Sequence, residues 1–176
     1  MSKPSTASRK QLTTCGQQLT ANERNEDSSF HLVTCRIAPH HFGNIPLFVR
    51  ESARVLRQGG LLAVVDNVVP PGSAGDYVNA FEKLRDPSHG RCLSPEEWTA
   101  AFQAAELSVK HQETLPKTMN FQFWAKRHDP ITQSYLRSLL TESSGPTAAF
   151  LNPQETADGL TFQLLEAITI GTKPEP

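Results

Sequence analysis

The order of elements predicted over residues 30–67 restricts the fold of this chain more than any other feature. Residues 30–36 alternate between apolar and polar side chains, as a β-strand does. A helix follows, with Asn44 as its N-cap, and Gly59-Gly60 ends it with the positive φ angles of a tight turn. Residues 61–65 (LLAVV) form an unbroken apolar run, typical of a parallel strand covered on both faces. This order predicts an α/β domain.

Polar side chains follow both predicted strands at their carboxyl ends. Arg36 ends the first strand, and Asp66 and Asn67 follow the second. Ligands of open α/β sheets bind beyond the carboxyl ends of the strands. We therefore expect these residues to lie at the edge of the sheet that carries a site.

The rest of the chain continues to alternate between helices and strands. A capping box is predicted at Ser94 and Glu97, with Pro95 at the first helical position. The predicted elements are helices over residues 76–85, 94–105, 121–127 and 131–140, strands over 107–114 and 160–171, and a loop or frayed helix over 141–153.

The bulk composition fits one globular domain and excludes several classes of function. The chain has 176 residues, of which 38% are hydrophobic, and a formal net charge of −1. Nucleic-acid binding needs clustered Lys and Arg, so nucleic acid is not expected as a partner. No apolar run reaches the length of a membrane span.

The three cysteines, Cys15, Cys35 and Cys92, occur without a CxxC pair. An odd number at these spacings indicates neither a disulfide framework nor a zinc site, and no metal is expected. Reduced thiols are the rule inside cells, which predicts a cytoplasmic protein.

Residues 1–29 are predicted to be a largely irregular leader, with a possible short strand or turn near residues 12–16. The first 22 residues hold three basic and no acidic side chains, a composition found in transit peptides and in flexible leaders. They lack the regular apolar face of a targeting helix, which favours the flexible leader. The predicted division is therefore a leader (1–29), a domain (30–171) and a tail (172–176).

Five segments, in their order and spacing, carry a resemblance to a known family: FHLVTCRIAPHHF, RVLRQGG, LLAVVDN, LRDPSHGRCLSPEEW and GLTFQLLEAITIG. They resemble the class I S-adenosylmethionine-dependent methyltransferases, in particular the ubiquinone/menaquinone-biosynthesis-like, type 11 group. The resemblance covers residues 30–171 and corresponds to the family's fourth strand onward, through its reversed seventh strand. It implies a Rossmann-like α/β sheet of seven strands with helices on both faces, and methyl transfer from S-adenosylmethionine to a small molecule.

The resemblance also assigns residues to the cofactor and to the reaction. His40 and His41 match a His pair often seen at the start of the helix after the fourth strand. If residues 15–17 end the family's third strand, Gln17 stands where an acidic residue contacts adenine. The stretch that usually lines the methionine end of the cofactor is Cys35, Arg36, Ile37 and Ala38.

Some parts of the family pattern are absent or altered. The sequence contains neither the GxGxG motif, which holds methionine and ribose, nor the acidic residue that ends the family's second strand. The resemblance therefore implies a truncated domain that lacks the first strands and helices. Glu106 stands where the family commonly has Gly at a helix end, and a left-handed Glu costs about 1 kcal/mol.

The polar candidates each have a functional and a structural interpretation. His40 and His41 are candidates for a general base, a substrate contact or a metal ligand, or for surface positions at a helix start. Arg36 is a candidate anchor for a carboxylate, or a partner for an Asp that holds the turn.

The candidates for contact with substrate lie further along the chain. Asp66 and Asn67 either contact substrate or bond the backbone at the strand end. Arg85, Asp86 and His89 belong to a dense polar loop, which is either a lid over the acceptor or an internally capped turn.

Three hypotheses of function remain open. The first is a methyltransferase by descent, whose activity is limited by the missing GxGxG motif. The second is a non-catalytic module that self-associates through the sheet edge and apolar faces that the missing strands would cover. The third is another nucleotide-cofactor enzyme, such as an oxidoreductase, although no GxGxxG supports it.

Overall fold

The computed structural model describes residues 25–175, so Gln17 and the possible strand near residues 12–16 lie outside the described part. The strands there are β1 (Phe30–Arg36), β2 (Leu56–Val68), β3 (Ser108–Asn120), β4 (Gln154–Thr156) and β5 (Gly159–Thr172). The α-helices are α1 (Ile45–Val55), α2 (Ser73–Arg85), α3 (Pro95–Ala104), α4 (Phe121–Ala125), α5 (Pro130–Thr141) and α6 (Gly145–Leu151), and a 3-10 turn covers Pro39–His41.

The sheet is mixed, with its strands in the order β1-β2-β5-β3. β1 and β2 are parallel, with Arg36 opposite Val65, whereas β5 runs antiparallel to both β2 and β3. β4 forms a hairpin with the start of β5. This arrangement confirms the predicted α/β class, including a reversed last strand.

Helices pack on both faces of the sheet because successive side chains of β5 point to opposite sides. Ala167 faces the layer of α1 and α3, in which Trp98 and Phe102 are buried. Leu164 faces the layer of α2, α4, α5 and α6, in which Trp124 is buried. These three aromatic side chains are at most 4% exposed, so they belong to the core and not to an open surface.

The apolar run of β2 is not covered on both faces, in contrast to the prediction. Leu62 and Val64 are buried under α1 and α3, whereas Leu61 is 40% exposed and Val65 is only half-buried. The second helix layer packs on β5 over residues 160–164 and leaves the second face of β2 partly open within the described part of the chain.

α1 is capped by Asn44, as predicted, but ends before residues 56–60, which already belong to β2. Of the two glycines there, Gly59 has a positive φ of 71° and Gly60 does not. Gly60 is needed for space instead, because a Cβ would lie 2.8 Å from the Arg57 carbonyl oxygen.

Two boundaries and one further helix also differ from the prediction, and one capping motif is confirmed. α2 begins at Ser73, β3 continues to Asn120, and α6 forms inside the stretch predicted as a loop or frayed helix. Ser94 and Glu97 form the capping box that the sequence predicts for α3.

β1 lies at one end of the strand order, and its side chains are largely accessible. Leu32 is 54% exposed and is in register with Leu61 of β2 on the same face. None of the helices in residues 25–175 has both the length and the apolar character needed to cross a membrane.

Candidate active site

A strained turn joins β1 to the 3-10 turn at the carboxyl edge of the sheet. Ile37 has a φ of 48°, which is rare for a β-branched residue, and its N–H donates to the Val65 carbonyl at 2.8 Å. The chain is thereby tied to β2 before it enters the Pro39–His41 turn. Strain of this kind costs on the order of 1–3 kcal/mol and clusters at functional sites.

His40 and Asp66 form a buried pair where β1 and β2 end. The His40 Nδ1 atom lies 2.6 Å from Asp66 Oδ1, and the His40 backbone N–H donates to Oδ2 at 2.8 Å. His40 is 6% exposed and Asp66 is 1% exposed. Because the carboxylate accepts at Nδ1, the neutral ring carries its hydrogen there and keeps a lone pair on Nε2. A ring held in this way can accept a proton.

The loop after α2 holds the 3-10 turn from the opposite side. The backbone N–H groups of Gly90 and Arg91 donate to the His40 carbonyl at 2.7 and 3.0 Å. A Cβ on Gly90 would lie 2.9 Å from that oxygen, so this close approach requires glycine. His41 is exposed, and its Nδ1 lies 3.0 Å from the Ser88 carbonyl oxygen. His40 is therefore fixed through its backbone as well as its ring.

His89 is buried next to His40, and the two ring centroids are 5.5 Å apart. Its Nε2 lies 2.9 Å from Asn79 Oδ1, and the Asn79 side chain also bonds the backbone of Cys92 in both directions. Burial, helped by the adjacent His40 and His41, lowers the pKa of His89 to about 4. His89 is therefore neutral at pH 7 and packs against the His40 ring without a charge.

Asp86 and Arg85 are held in place by the end of α4. Asp86 accepts hydrogen bonds from the Ser88 hydroxyl at 2.6 Å and the Ser88 backbone N–H at 3.0 Å, and pairs with Arg127 at 3.1 Å. The bonds from Ser88 hold the pKa of Asp86 well below its usual range. The Arg85 guanidinium lies 5.2 Å from the centre of the Trp124 ring. The Asp86 carboxylate is thus engaged by Ser88 of its own loop and by Arg127 after α4.

A buried carboxyl group on α2 belongs to this region and was not among the candidates from the sequence. The helix buries Val78, Phe81 and Glu82. The sequence predicts a face of Tyr77, Phe81 and Leu84, but Leu84 is 41% exposed. The helix is rotated relative to that prediction, and the rotation turns Glu82 inward.

Three buried side-chain polar atoms have no hydrogen-bond partner among the described residues: Asn67 Oδ1, Glu82 Oε1 and Arg85 Nε. Burial raises the pKa of the Glu82 carboxyl, and the nearby Arg85, His40 and Lys117 act in the opposite direction. Glu82 is therefore within electrostatic reach of His40. Buried polar atoms nearly always have a partner, so these three need an explanation.

The residues that the resemblance assigns to the cofactor surround the start of this turn. Arg36 is exposed at the end of β1, and Cys35, Ile37 and Ala38 are half-buried. Residues 25–175 contain no group of three or more His, Cys, Asp or Glu side chains that could hold a metal ion.

Comparisons with known proteins identify the family. A family model described as a methyltransferase domain matches residues 3–64. The uncharacterized methyltransferase YcgJ of Bacillus subtilis is 41% identical over 102 residues, which are 57% of this chain and 40% of YcgJ. The crystal structure of YcgJ matches with a TM-score of 0.77 and 31% identity, covering 88% of this chain and 68% of that one.

The chain belongs to the class I methyltransferase family. The crystal structure of a second protein, described as a methyltransferase of Bacillus halodurans C-125, matches with a TM-score of 0.81 and 29% identity. The match covers 88% of this chain and 74% of that chain. The resemblance of the sequence to this family is therefore confirmed. The region matched in sequence covers only 40% of the length of YcgJ, so the chain spans less than half of that relative.

Within this methyltransferase fold, the structure brings together some of the predicted site residues and separates others. His40 and Asp66 are in direct contact, and His89 packs beside them. His41 and Asp86 are turned to the loop after α2.

Proposed function

We propose that this chain takes part in the transfer of a methyl group from S-adenosylmethionine to a small-molecule acceptor, with His40 as the general base. The observation that carries this proposal is the buried His40–Asp66 pair at the carboxyl ends of two parallel strands. Ligands of α/β sheets bind at this edge. A carboxylate that orients a histidine also stabilises the ring after it has taken up a proton.

The residues present fit one end of the cofactor. The strained Ile37 turn and the unpartnered buried side-chain oxygen of Asn67 lie where β1 and β2 end, as expected of an edge built to receive a polar group. Residues 35–38 are the part of this chain that would hold the methionine end. Gln17, the candidate for adenine, lies outside the described residues.

In this reaction the protein forms no covalent bond to the substrate; it orients the reactants and removes a proton. When bound, S-adenosylmethionine supplies a methyl group and leaves as S-adenosylhomocysteine with the electron pair of the broken carbon–sulfur bond. His40 Nε2 takes the proton that the acceptor atom loses as it bonds to the methyl carbon, and Asp66 stabilises the resulting imidazolium. His89, neutral and buried, adds no opposing charge beside that ring. Orientation and exclusion of water supply most of the rate.

Two further points are part of the proposal. The acceptor is a small molecule, and the protein works in the cytoplasm. Both follow from the resemblance and from the cysteine pattern of the sequence.

Calorimetric titration with S-adenosylmethionine tests cofactor binding. We expect a Kd below about 100 μM, equivalent to more than about 5 kcal/mol of binding free energy. Ala38→Trp fills the carboxyl edge of β1 and should weaken binding at least tenfold. Ala104→Trp, on the exposed side of α3, is the matched control and should leave it unchanged. Absence of binding by the wild-type chain would contradict the proposal.

The base is tested separately by ¹⁵N NMR of the histidine rings. At a pH where the His40 ring is neutral, Nδ1 should be protonated and Nε2 should carry the lone pair. The opposite tautomer would exclude His40 Nε2 as the base. The measurement needs no acceptor and remains informative whatever the calorimetry gives.

We also propose that copies of this chain associate through the accessible face of β1 and β2. Leu32 and Leu61 lie side by side there and are 54% and 40% exposed. Exposed apolar pairs on a sheet promote association. Such association is compatible with catalysis. Leu32 and Leu61 lie on the face of the sheet, whereas the His40–Asp66 pair lies at the carboxyl edge of β1 and β2.

A further inference from the structure

Three consecutive residues of the loop after α2 contact the candidate base, His40. The His89 ring lies against the His40 ring with an angle of 30° between the two planes. Gly90 and Arg91 donate their backbone N–H groups to the His40 carbonyl at 2.7 and 3.0 Å. The position of this loop therefore affects the position of the base.

The hydrogen bond with Asp66 alone does not fix the His40 ring. It holds one atom of the ring, Nδ1, at 2.6 Å from the carboxylate oxygen. A ring held at one atom can still turn, because the torsion that rotates an imidazole has a broad energy minimum. The flat contact with His89, at 5.5 Å between the ring centroids, restricts that rotation. A residue that orients His89 therefore also orients the base.

Asn79, on α2, is a residue of this kind. Its Oδ1 lies 2.9 Å from His89 Nε2 and accepts the Cys92 N–H at 2.7 Å, and its Nδ2 donates to the Cys92 carbonyl at 3.1 Å. The two bonds to the backbone decide which end of the amide is the oxygen, because the Cys92 N–H requires an acceptor and the carbonyl requires a donor. Oδ1 therefore faces His89, and the neutral His89 ring carries its hydrogen on Nε2.

The other hydrogen bonds of His89 hold its backbone. The His89 N–H donates to the Asp86 carbonyl, and the His89 carbonyl accepts from Lys83 Nζ. Neither bond restrains the ring, whereas the bond to Asn79 does. An asparagine that only held the loop would need no more than its two bonds to Cys92. The bond to the ring connects Asn79 to the base.

We propose that Asn79 is a positioning residue for the base: it holds the His89 ring flat against His40, and His89 keeps His40 in the orientation that pairs with Asp66. This inference rests on the proposed function, in which His40 takes the proton of the acceptor. The contacts run from α2 through His89 to the carboxyl ends of β1 and β2. A neutral His89, with its hydrogen turned towards Asn79, supports the base without a second positive charge beside the protonated ring.

Exchange of the His40 Nδ1 proton with water, measured by ¹H NMR, tests the assignment. This proton lies between two buried side chains and exchanges when the His40–Asp66 pair opens. Asn79→Leu removes three hydrogen bonds and should accelerate the exchange about fivefold or more, the change that one hydrogen bond makes to an opening equilibrium. Gln112→Leu is the matched control and should leave the rate unchanged, because it also removes three hydrogen bonds from a half-buried side chain.

A double-mutant cycle shows whether the effect passes through His89. His89→Phe keeps a flat ring but cannot donate to Asn79, so it should also accelerate the exchange. If Asn79 acts through His89, the double variant exchanges no faster than the faster single variant. Circular dichroism checks that each variant is folded, and Asn79→Ala replaces Asn79→Leu if the leucine variant does not fold.

The outcomes separate this inference from the proposed function. An exchange rate that Asn79→Leu leaves unchanged, that Gln112→Leu raises equally, or that rises by the full product of both factors in the double variant would overturn the inference. Asn79 would then only hold the backbone of Cys92. Failure of S-adenosylmethionine to bind, with the expected exchange rates, would overturn the methyltransferase proposal and leave an oriented His–Asp pair. A wild-type His40 without a proton on Nδ1 would overturn both.

Discussion

At the scale of single residues, one carboxylate decides where His40 lies. Asp66 accepts hydrogen bonds from both the backbone and the ring of His40, and both groups are buried. Two donors that are 26 residues away from their acceptor in the sequence thereby join the turn after β1 to the end of β2. Removal of either acceptor oxygen would leave a buried donor without a partner. Such a donor costs its full desolvation free energy, which is more than the net contribution of the hydrogen bond itself.

Asp66→Asn should therefore reduce the free energy of unfolding by about 1–3 kcal/mol. An amide offers only one acceptor oxygen, so one of the two His40 donors must face an NH₂ group. Urea unfolding at pH 7 measures the effect. Asp158→Asn, in the exposed turn between β4 and β5, is the control and should change stability by less than about 0.5 kcal/mol. Equal effects of the two substitutions would show that the buried pair does not stabilise the fold.

His89 gives a second prediction, concerning pH. Its pKa falls from about 6.5 in the unfolded chain to about 4 in the folded protein, mainly through burial. The folded state favours the neutral ring, so this contribution to stability is complete above pH 6.5 and is lost as the pH falls towards 4. The nearby His40, His41 and Lys83 add to the effect, and Asp86 opposes it.

His89→Gln should remove that dependence. We expect the stability of wild-type protein relative to His89→Gln to fall by about 2–3 kcal/mol between pH 7.5 and pH 4. Urea unfolding at several pH values measures the difference. Thr114→Ser, at an exposed position of β3 and without a titrating group, serves as the control, and its difference from wild type should stay nearly constant. Parallel curves for wild type and His89→Gln would contradict the prediction.

At the scale of elements, the end of α3 shows a conformation that its residue does not favour. Glu106 has a φ of 59°. Its N–H donates to the Gln103 carbonyl, and the Leu107 N–H donates to the Phe102 carbonyl, the two bonds of a Schellman motif. Leu107 and Phe102 are both buried in the same cluster, so packing holds the turn despite the strain.

Glu106→Gly should stabilise the protein by about 1 kcal/mol, because glycine adopts this conformation without a Cβ clash. Gln103→Gly, three residues earlier and within the helix, is the opposite control and should cost about 1 kcal/mol. Chemical denaturation of both variants measures the two changes. A loss of stability on Glu106→Gly would mean that flexibility gained by the unfolded chain outweighs the strain.

Helix ends that depend on neighbouring residues in the sequence were predicted correctly. The extent of a strand that depends on pairing with a strand distant in the sequence was not. The cap at Asn44 and the capping box at Ser94 depend on neighbouring residues and are present. The second half of β3, LPKTMN, has no apolar alternation and is a strand because it pairs residue by residue with β5. α6 carries local signals in its sequence, Pro146 in the first turn and Asn152 at the C-cap, although we expected a loop or a frayed helix there.

The sequence predicted which residues belong to the candidate site, but it did not predict which of them are in contact. His40 and Asp66 were both candidates, because each follows a strand, but a sequence does not reveal that the two share a hydrogen bond. Glu82 was missed because a charged residue on a helix is normally solvated. Its spacing from Val78 and Phe81, four and one positions, was the available signal that it shares their buried face.

At the scale of the whole molecule, the sheet in residues 25–175 is well covered on one face and partly open on the other. α1 and α3 bury the face that carries Leu62 and Val64, and the aromatic cluster around Trp124 covers the start of β5. The region of β1 and β2 opposite α1 retains accessible leucines. Solvation of that surface costs free energy, which association of two copies would recover in part.

Leu32→Lys should therefore weaken self-association about tenfold, since burying a leucine contributes roughly 1.5–3 kcal/mol and a tenfold change corresponds to about 1.4 kcal/mol. Lysine also discourages the pairing of sheet edges. Sedimentation velocity over a range of protein concentrations measures the change, and wild-type protein should shift to larger species as concentration rises. Leu84→Lys, at a 41% exposed position on α2, is the matched control and should associate like wild type. A wild-type chain that stays monomeric throughout, or equal weakening by both substitutions, would contradict association through β1 and β2.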